Sequence, residues 1–325
     1  MAAVAFSLEP VPPFRLDLTA WALRRRTHNA VDRWDGRHWR RALASGNRVF
    51  ELCVSQRDTP GRPRLDVVIS GARIGEHQRQ AAEKALDRLL GVSIDLQPFY
   101  ALAATDPRLA RLANRFRGVK PVRFPCIFES LVNAIACQQL SLDAGIHLLN
   151  ALTLRYGEAV GRGRVALRAF PSPAALAGVS VEALRMLGFS RQKARALIEL
   201  SDALARGTLD LEALAGRPDG TLRAELQSLR GIGRWSAEYT MLRGYGRLQQ
   251  FPADDVGAWR GLQRWLRLRK PLDYGRAMAI TRRWRPYAGF VYFHLLLSRL
   301  EHEGWIGGSK AGCADSGSAA DGAMP

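Results

Sequence analysis

The chain has 325 residues, 47% of them hydrophobic, and carries 48 Lys and Arg against 30 Asp and Glu, a formal net charge of +18. That length suggests two or three domains with full-sized cores, and the cationic excess suits a polyanion, nucleic acid before any other. The four cysteines (Cys53, Cys126, Cys137, Cys313) show no C-x-x-C spacing, which argues against a disulfide framework, a zinc site or an iron–sulfur cluster. No run approaches the ~18 apolar residues of a membrane span, and the start lacks a signal-peptide pattern. The expectation is a soluble protein of the reducing cytoplasm or bacterial nucleoid, with no membrane partner.

Residues 1–13 read as a proline-broken lead-in. From 14 to 95 the pattern is strand-rich. "WDGRHW" holds a turn at Asp35-Gly36, and "RVFELCVSQ" and "RLDVVISG" are β-rich runs separated by the turn-rich "RDTPGRP". "GEHQRQAAEKALDRLLG" predicts an amphipathic helix ending at Gly91. This part is an α+β domain, an antiparallel sheet with a helix on it. Residues 96–306 then turn helical. "PCIFESLVNAIACQQLS" spaces Ile127, Phe128, Leu131 and Ile135 as one helix face. "VEALRMLGFSRQKARALIELSDALARG" predicts a short helix, a stop at Gly188 and a second helix. A helical hairpin follows at about 222–245, and a strongly apolar helix closes the fold. The tail, 307–325, is Gly/Ala/Ser/Asp-rich and is expected to be disordered.

In "LQSLRGIGRWSAEY" one helix ends near Leu229 and the next begins near Arg234, with Gly231-Ile232-Gly233 between them. The glycines permit positive φ and a close approach of backbone. Ile232 can point inward as an apolar plug. The free N–H groups of the second helix then face outward beside bare backbone, which makes an anion site that reads phosphate and not bases. Taken alone, Gly-x-Gly fits an ordinary packed αα-hairpin better. Downstream, "FPADD" ends in two aspartates; Asp254 suits an N-cap for a helix starting near Val256.

From Leu229 to Asp255, "LRGIGRWSAEYTMLRGYGRLQQFPADD" resembles the helix–hairpin–helix, Gly/Pro-rich loop and aspartate of the base-excision DNA glycosylases. Trp235, directly after "GIGR", resembles the 3-methyladenine DNA glycosylase II branch. "FESLVNAIACQQLS", "LGFSRQKARALIELSDAL" and "RRWRPYAGFVYFHLLL" extend the similarity over most of 14–305. The resemblance implies an α+β domain followed by an all-α helix–hairpin–helix glycosylase fold. It assigns catalysis to Asp255, DNA contacts to Gly231, Ile232, Gly233 and Arg234, and the DNA wedge to Leu140, with Gln139 as the rival. It places Trp235 and Tyr239, four apart on one helix face, in the base pocket together with Tyr287; Tyr287, Phe290, Tyr292 or Phe293 is expected to compensate for Leu296, where the family's characterised bacterial member has Trp. Lyase relatives carry Lys where this chain has Trp235, so water is the expected nucleophile. The implied reaction is excision of alkylated purines of the 3-methyladenine and 7-methylguanine type, with hypoxanthine or another damaged base, or DNA binding without catalysis, as alternatives. The expected partner is damaged duplex DNA, bound by a monomer. No cofactor or metal is expected; a monovalent cation at the hairpin in the DNA-bound state stays open.

Overall fold

The computed structural model describes residues 2–46, 48–161 and 166–307. It opens with strand β1 (Ala2–Leu8), helix α1 (Leu16–Arg24) and strands β2 (Arg33–Trp34), β3 (His38–Ser45), β4 (Arg48–Arg57) and β5 (Arg64–Gly71). They form one antiparallel sheet in the order β1-β5-β4-β3-β2. The expected turn is present: Gly36 has φ +98°, and Asp35 accepts hydrogen bonds from the N–H groups of Arg37 and His38. Phe50, Leu52 and Val54 of β4 and Leu65, Val67 and Ile69 of β5 all point into the core, the period of two that a half-buried strand requires. Helix α2 (Glu76–Leu90) covers that face with Ala82, Leu86, Leu89 and Leu90, then stops at Gly91, φ +62°.

Two parts of this domain differ from the expectation. Residues 1–13 are not a lead-in throughout: β1 pairs with β5 from Ala2↔Gly71 to Leu8↔Leu65 and completes the sheet. The prolines that suggested a loop all lie beyond Leu8. The segment "LDLTAWALR", placed in a strand-rich region, is the buried helix α1. Its apolar residues are dense enough to satisfy either period, and burial on nearly every side removes the polar face that would mark a helix.

The helical region comprises α3 (Gln97–Ala104), α4 (Pro107–Arg115), α5 (Ile127–Cys137), α6 (Leu142–Tyr156), α7 (Pro173–Leu176), α8 (Val181–Met186), α9 (Arg191–Ala205), α10 (Asp219–Ser228), α11 (Arg234–Arg243), α12 (Val256–Leu266), α13 (Tyr274–Thr281) and α14 (Ala288–His302). A small hairpin, β6 (Ala159–Val160) and β7 (Leu167–Arg168), interrupts it and packs Val160 and Leu167 against Ala42 of β3. Ser141, Ser172, Ser180 and Ser190 each cap the helix that follows by accepting a backbone N–H, satisfying a donor that the helix cannot. No described helix is long and apolar enough to cross a membrane.

Two large hydrophobic cores divide the chain in a way that secondary structure alone does not. The first joins the sheet, α1 to α4 and the C-terminal α12 to α14. The second joins α5 to α10 with Ile232 and one face of α11. The expected division at residue 95 follows the end of the sheet domain, but the last three helices return to the sheet's own core. Helix α11 belongs to both, giving Ala237 and Met241 to the second core and Leu242 to the first. Arg41, fully buried, ties the halves together: it bonds Asp32 at 2.9 Å and Glu129 of α5 at 2.5 Å. Removing one partner of such a buried set costs about 3–5 kcal/mol. Residues 308–325, including Cys313 and most of the expected disordered tail, lie outside the described residues.

Candidate DNA-binding and active site

A cleft of about 1430 Å³ opens between the two cores. Its lining includes Gln138, Gln139 and Leu140, the turn Gly231–Gly233, Trp235, Tyr239, Asp255, Tyr292 and Leu296.

The hairpin turn separates its two glycines by purpose. Gly231 has φ +75°, and a Cβ there would stand 2.9 Å from the Cβ of Ala196 on α9. The fold therefore needs a glycine at this position. Gly233 is the N-cap of α11 in ordinary extended conformation, and a Cβ on it would meet nothing within 4 Å. Its bareness leaves the helix N-terminus open, the geometry that receives an anion. Ile232 is 5% exposed and plugs the second core.

Across the cleft, α5 ends at Cys137 and the chain turns through Gln139, which has φ +52°. Leu140 projects at 46% exposure, so it is not core. The turn is braced: Lys193 donates to the carbonyls of Ala136 and Gln138 at 3.0 and 2.8 Å. Gln138 in turn donates to the carbonyl of Gly231 and to Ser236 Oγ, both at 2.7 Å. The projecting leucine and the glycine turn thus form one braced rim.

Asp255 faces the cleft with both oxygens engaged by donors. Oδ1 accepts the N–H of Ala258 at 2.7 Å; Oδ2 accepts Trp235 Nε1 at 3.1 Å and the Tyr292 hydroxyl at 3.2 Å. Burial, followed by the Asp255 charge, raises the Tyr292 phenol well above its ordinary value, so it stays a neutral donor at physiological pH. Trp235 stacks on Tyr239, with centroids 5.3 Å apart and an interplanar angle of 27°. Among the described residues no group of three or more His, Cys, Asp or Glu gathers as a metal-donor set.

Two expectations need correction. The N-cap of α12 is Asp255, not Asp254; the capping residue is the one directly before Val256, and one carboxylate oxygen suffices for it. Asp254 instead takes Nε and a terminal nitrogen of Arg234 at 2.6 and 3.0 Å. Arg234, one of the expected DNA contacts, is held in that ion pair and lies 3.8 Å over the ring of Tyr274. Tyr287 is not in the cleft: it packs edge-on against Phe99 in the first core. The helix starts at Ala288, which turns Tyr292 and Leu296, four apart, toward Asp255 instead.

Arg25 has no counterpart in the sequence reading. It ends α1 at φ +59°, is 4% exposed, and lines the cleft. It donates to the Tyr239 hydroxyl at 3.0 Å and to Asn133 at 2.6 Å. Its neighbours Arg24 and Arg26 are equally buried, and Arg26 reaches Asp143 and Glu303. Behind the pocket, fully buried Arg243 lies 5.7 Å over Tyr239. Nothing in "ALRRRT" distinguishes these arginines from surface charge; their burial follows from the packing of α1.

The comparisons agree with this architecture. Residues 132–286 match the family model of the HhH-GPD superfamily base excision DNA repair protein. The chain is 25% identical to the solved 3-methyladenine DNA glycosylase of Archaeoglobus fulgidus, with a TM-score of 0.79, covering 90% of this chain and 97% of that one. It is 26% identical over 285 residues to the Bacillus subtilis protein YfjP, provisionally named a DNA-3-methyladenine glycosylase, covering 87% of this chain and 95% of the relative. The fold alone is shared with the Clostridium acetobutylicum 8-oxoguanine glycosylase/lyase in complex with duplex DNA (17% identity, TM-score 0.71, 92% of this chain and 98% of that one). Residues 132–286 belong to the HhH-GPD superfamily of base excision DNA repair proteins. Along 87–90% of its length the chain is similar to 3-methyladenine DNA glycosylases, members of the alkylbase branch.

Proposed function

We propose that this protein is a monofunctional DNA glycosylase that flips an alkylated purine from the duplex and hydrolyses its glycosidic bond. The observation that carries this reading is Asp255, a carboxylate in the cleft beside the stacked Trp235 and Tyr239. Breaking an N-glycosidic bond leaves an oxocarbenium-like sugar. Asp255 stabilises that charge and orients the attacking water. Leu140 enters the space that the extruded base leaves, and the Gly231–Gly233 turn holds a phosphate. Water is the nucleophile, because Trp235 stands where lyase relatives carry Lys. Lys193, the lysine at the cleft, has its amine tied to two carbonyls.

The test is a panel of duplexes, each with one defined lesion, followed by alkali to reveal abasic sites. Release of 3-methyladenine or 7-methylguanine supports the reading. Strand cleavage without alkali contradicts the monofunctional assignment, and intact duplex binding with no release from any lesion contradicts the enzyme assignment.

A specific observation favours a second reading of the base. Arg25 and Arg243 place two guanidinium groups around Tyr239, and a cationic purine beside them meets like charge. A neutral base such as hypoxanthine does not. The same panel separates the two readings by their relative rates.

A further inference from the structure

The segment that carries Asp255 is fastened to α11 one residue at a time. Ala253 donates its N–H to Glu238 Oε2 at 3.1 Å. Asp254 takes the guanidinium of Arg234 at 2.6 and 3.0 Å. Asp255 takes the indole of Trp235 at 3.1 Å. Position 238 lies three and four residues beyond 235 and 234, the spacings that make neighbours on a helix surface. A loop held at one point can pivot about it; three consecutive residues held along one helical turn are fixed in both position and rotation.

Glu238 is the unexpected member. It is fully buried, and burial raises its pKa. A buried carboxylate is costly unless its lone pairs are used, and here both oxygens are: Oε1 accepts the Tyr274 hydroxyl at 2.8 Å while Oε2 takes Ala253. The Tyr274 ring then supports the Arg234 guanidinium at 3.8 Å. Glu238, Tyr274, Arg234 and Asp254 thus link into one brace behind Asp255.

We propose that Glu238 and Arg234 are positioning residues that hold Asp255 in its excision geometry, and that Arg234 is not a phosphate ligand. This rests on the reading of Asp255 as the catalytic carboxylate. Glu238→Met keeps the length of the side chain but offers no oxygen to the Ala253 N–H or the Tyr274 hydroxyl. Arg234→Gln combined with Asp254→Asn removes the ion pair without changing net charge.

The experiment measures single-turnover base release, and separately the Kd for a duplex with an abasic-site analogue across a range of salt. Both variants are expected to release base about 10–100-fold more slowly, since an error of about 1 Å in a reacting group costs about 10²-fold. Kd and its salt slope should stay at wild type. Wild-type release in both variants overturns the proposal. A weaker Kd with the salt slope reduced by about one in the Arg234/Asp254 pair marks a phosphate ligand and also overturns it. If Glu238→Met does not fold, Tyr274→Phe removes only the hydroxyl that orients Glu238; slower release at unchanged Kd supports the proposal and wild-type release sinks it. Asp255→Asn runs in the same assay: if it retains activity, the reading of Asp255 fails, whatever the brace does.

Discussion

The Tyr292 hydroxyl lies 3.2 Å from Asp255 Oδ2, the same oxygen that accepts Trp235 Nε1 at 3.1 Å. One side chain comes from the hairpin and the other from the closing helix, so the carboxylate is oriented by both halves of the cleft. Trp235→Phe and Tyr292→Phe each delete one donor while keeping an aromatic ring. Each should lower single-turnover base release about 10-fold or more, the cost of a misaimed catalytic group, with duplex affinity changed by less than about two-fold. Combined rate and binding measurements check this; equal losses in affinity and rate would mean that the rings act by binding alone.

The two hairpin glycines predict opposite phenotypes. Gly231→Ala must hold φ +75° and push against Ala196. It should destabilise the fold by about 1–3 kcal/mol. Gly233→Ala meets nothing and has no positive φ, so its thermal stability should match wild type while its DNA affinity falls, because the new methyl group stands at the proposed phosphate contact. Paired unfolding and binding curves decide. A destabilised Gly233→Ala would contradict this division of roles.

Leu140 predicts a defect in extrusion more than in attachment. Leu140→Ala should slow release from a paired lesion, yet spare release from the same base opposite an abasic gap, where less unstacking is required. Non-specific duplex binding should be unchanged. Equal rates in the mutant and wild type on the paired lesion would remove the wedge assignment. Lys193→Met, which frees the carbonyls of Ala136 and Gln138, should show the same pattern more weakly.

How much of this was readable from residues alone varied with the physics. Period and turn chemistry revealed β4, β5, α2 and the stop at Gly188, because each has one buried face and a marked end. The motif from Gly231 to Asp255 is contiguous, so Trp235, Tyr239 and Asp255 could be placed together before any coordinates. The Asp254 and Asp255 roles were partly misjudged, since a capping preference does not say that one carboxylate can both cap and face a cleft. Of the four aromatics that the closing segment offers, Tyr292 faces the cleft and Tyr287 the first core; the sequence leaves that choice open because the phase of α14 depends on where the helix starts, and Pro286 permits several starts. Arg25 was invisible. A buried arginine is spelled like a surface one, and only the way α1 packs between the two cores shows that its guanidinium reaches Tyr239.

Stability should depend on His294. The imidazole is fully buried among Phe99, Phe116 and Phe290, and burial pushes its pKa down to about 4 from an ordinary 6.5. Between those values the unfolded chain takes up a proton that the folded chain refuses, so stability falls as pH falls from 6.5 toward 4 and this contribution then levels off. The full effect is about 3 kcal/mol. Denaturation midpoints measured from pH 7 to 4 should drop less steeply in His294→Phe; parallel curves would show that the group does not titrate this way.

The central claim is that the Asp255 carboxylate performs the hydrolysis. Asp255→Asn keeps an oxygen to cap α12 but loses the negative charge that faces the sugar. On a duplex carrying a substrate lesion, its single-turnover base release should fall by about 10²-fold or more, with the fold intact and affinity for an abasic-site duplex retained. Base release at the wild-type rate in that variant would contradict the account.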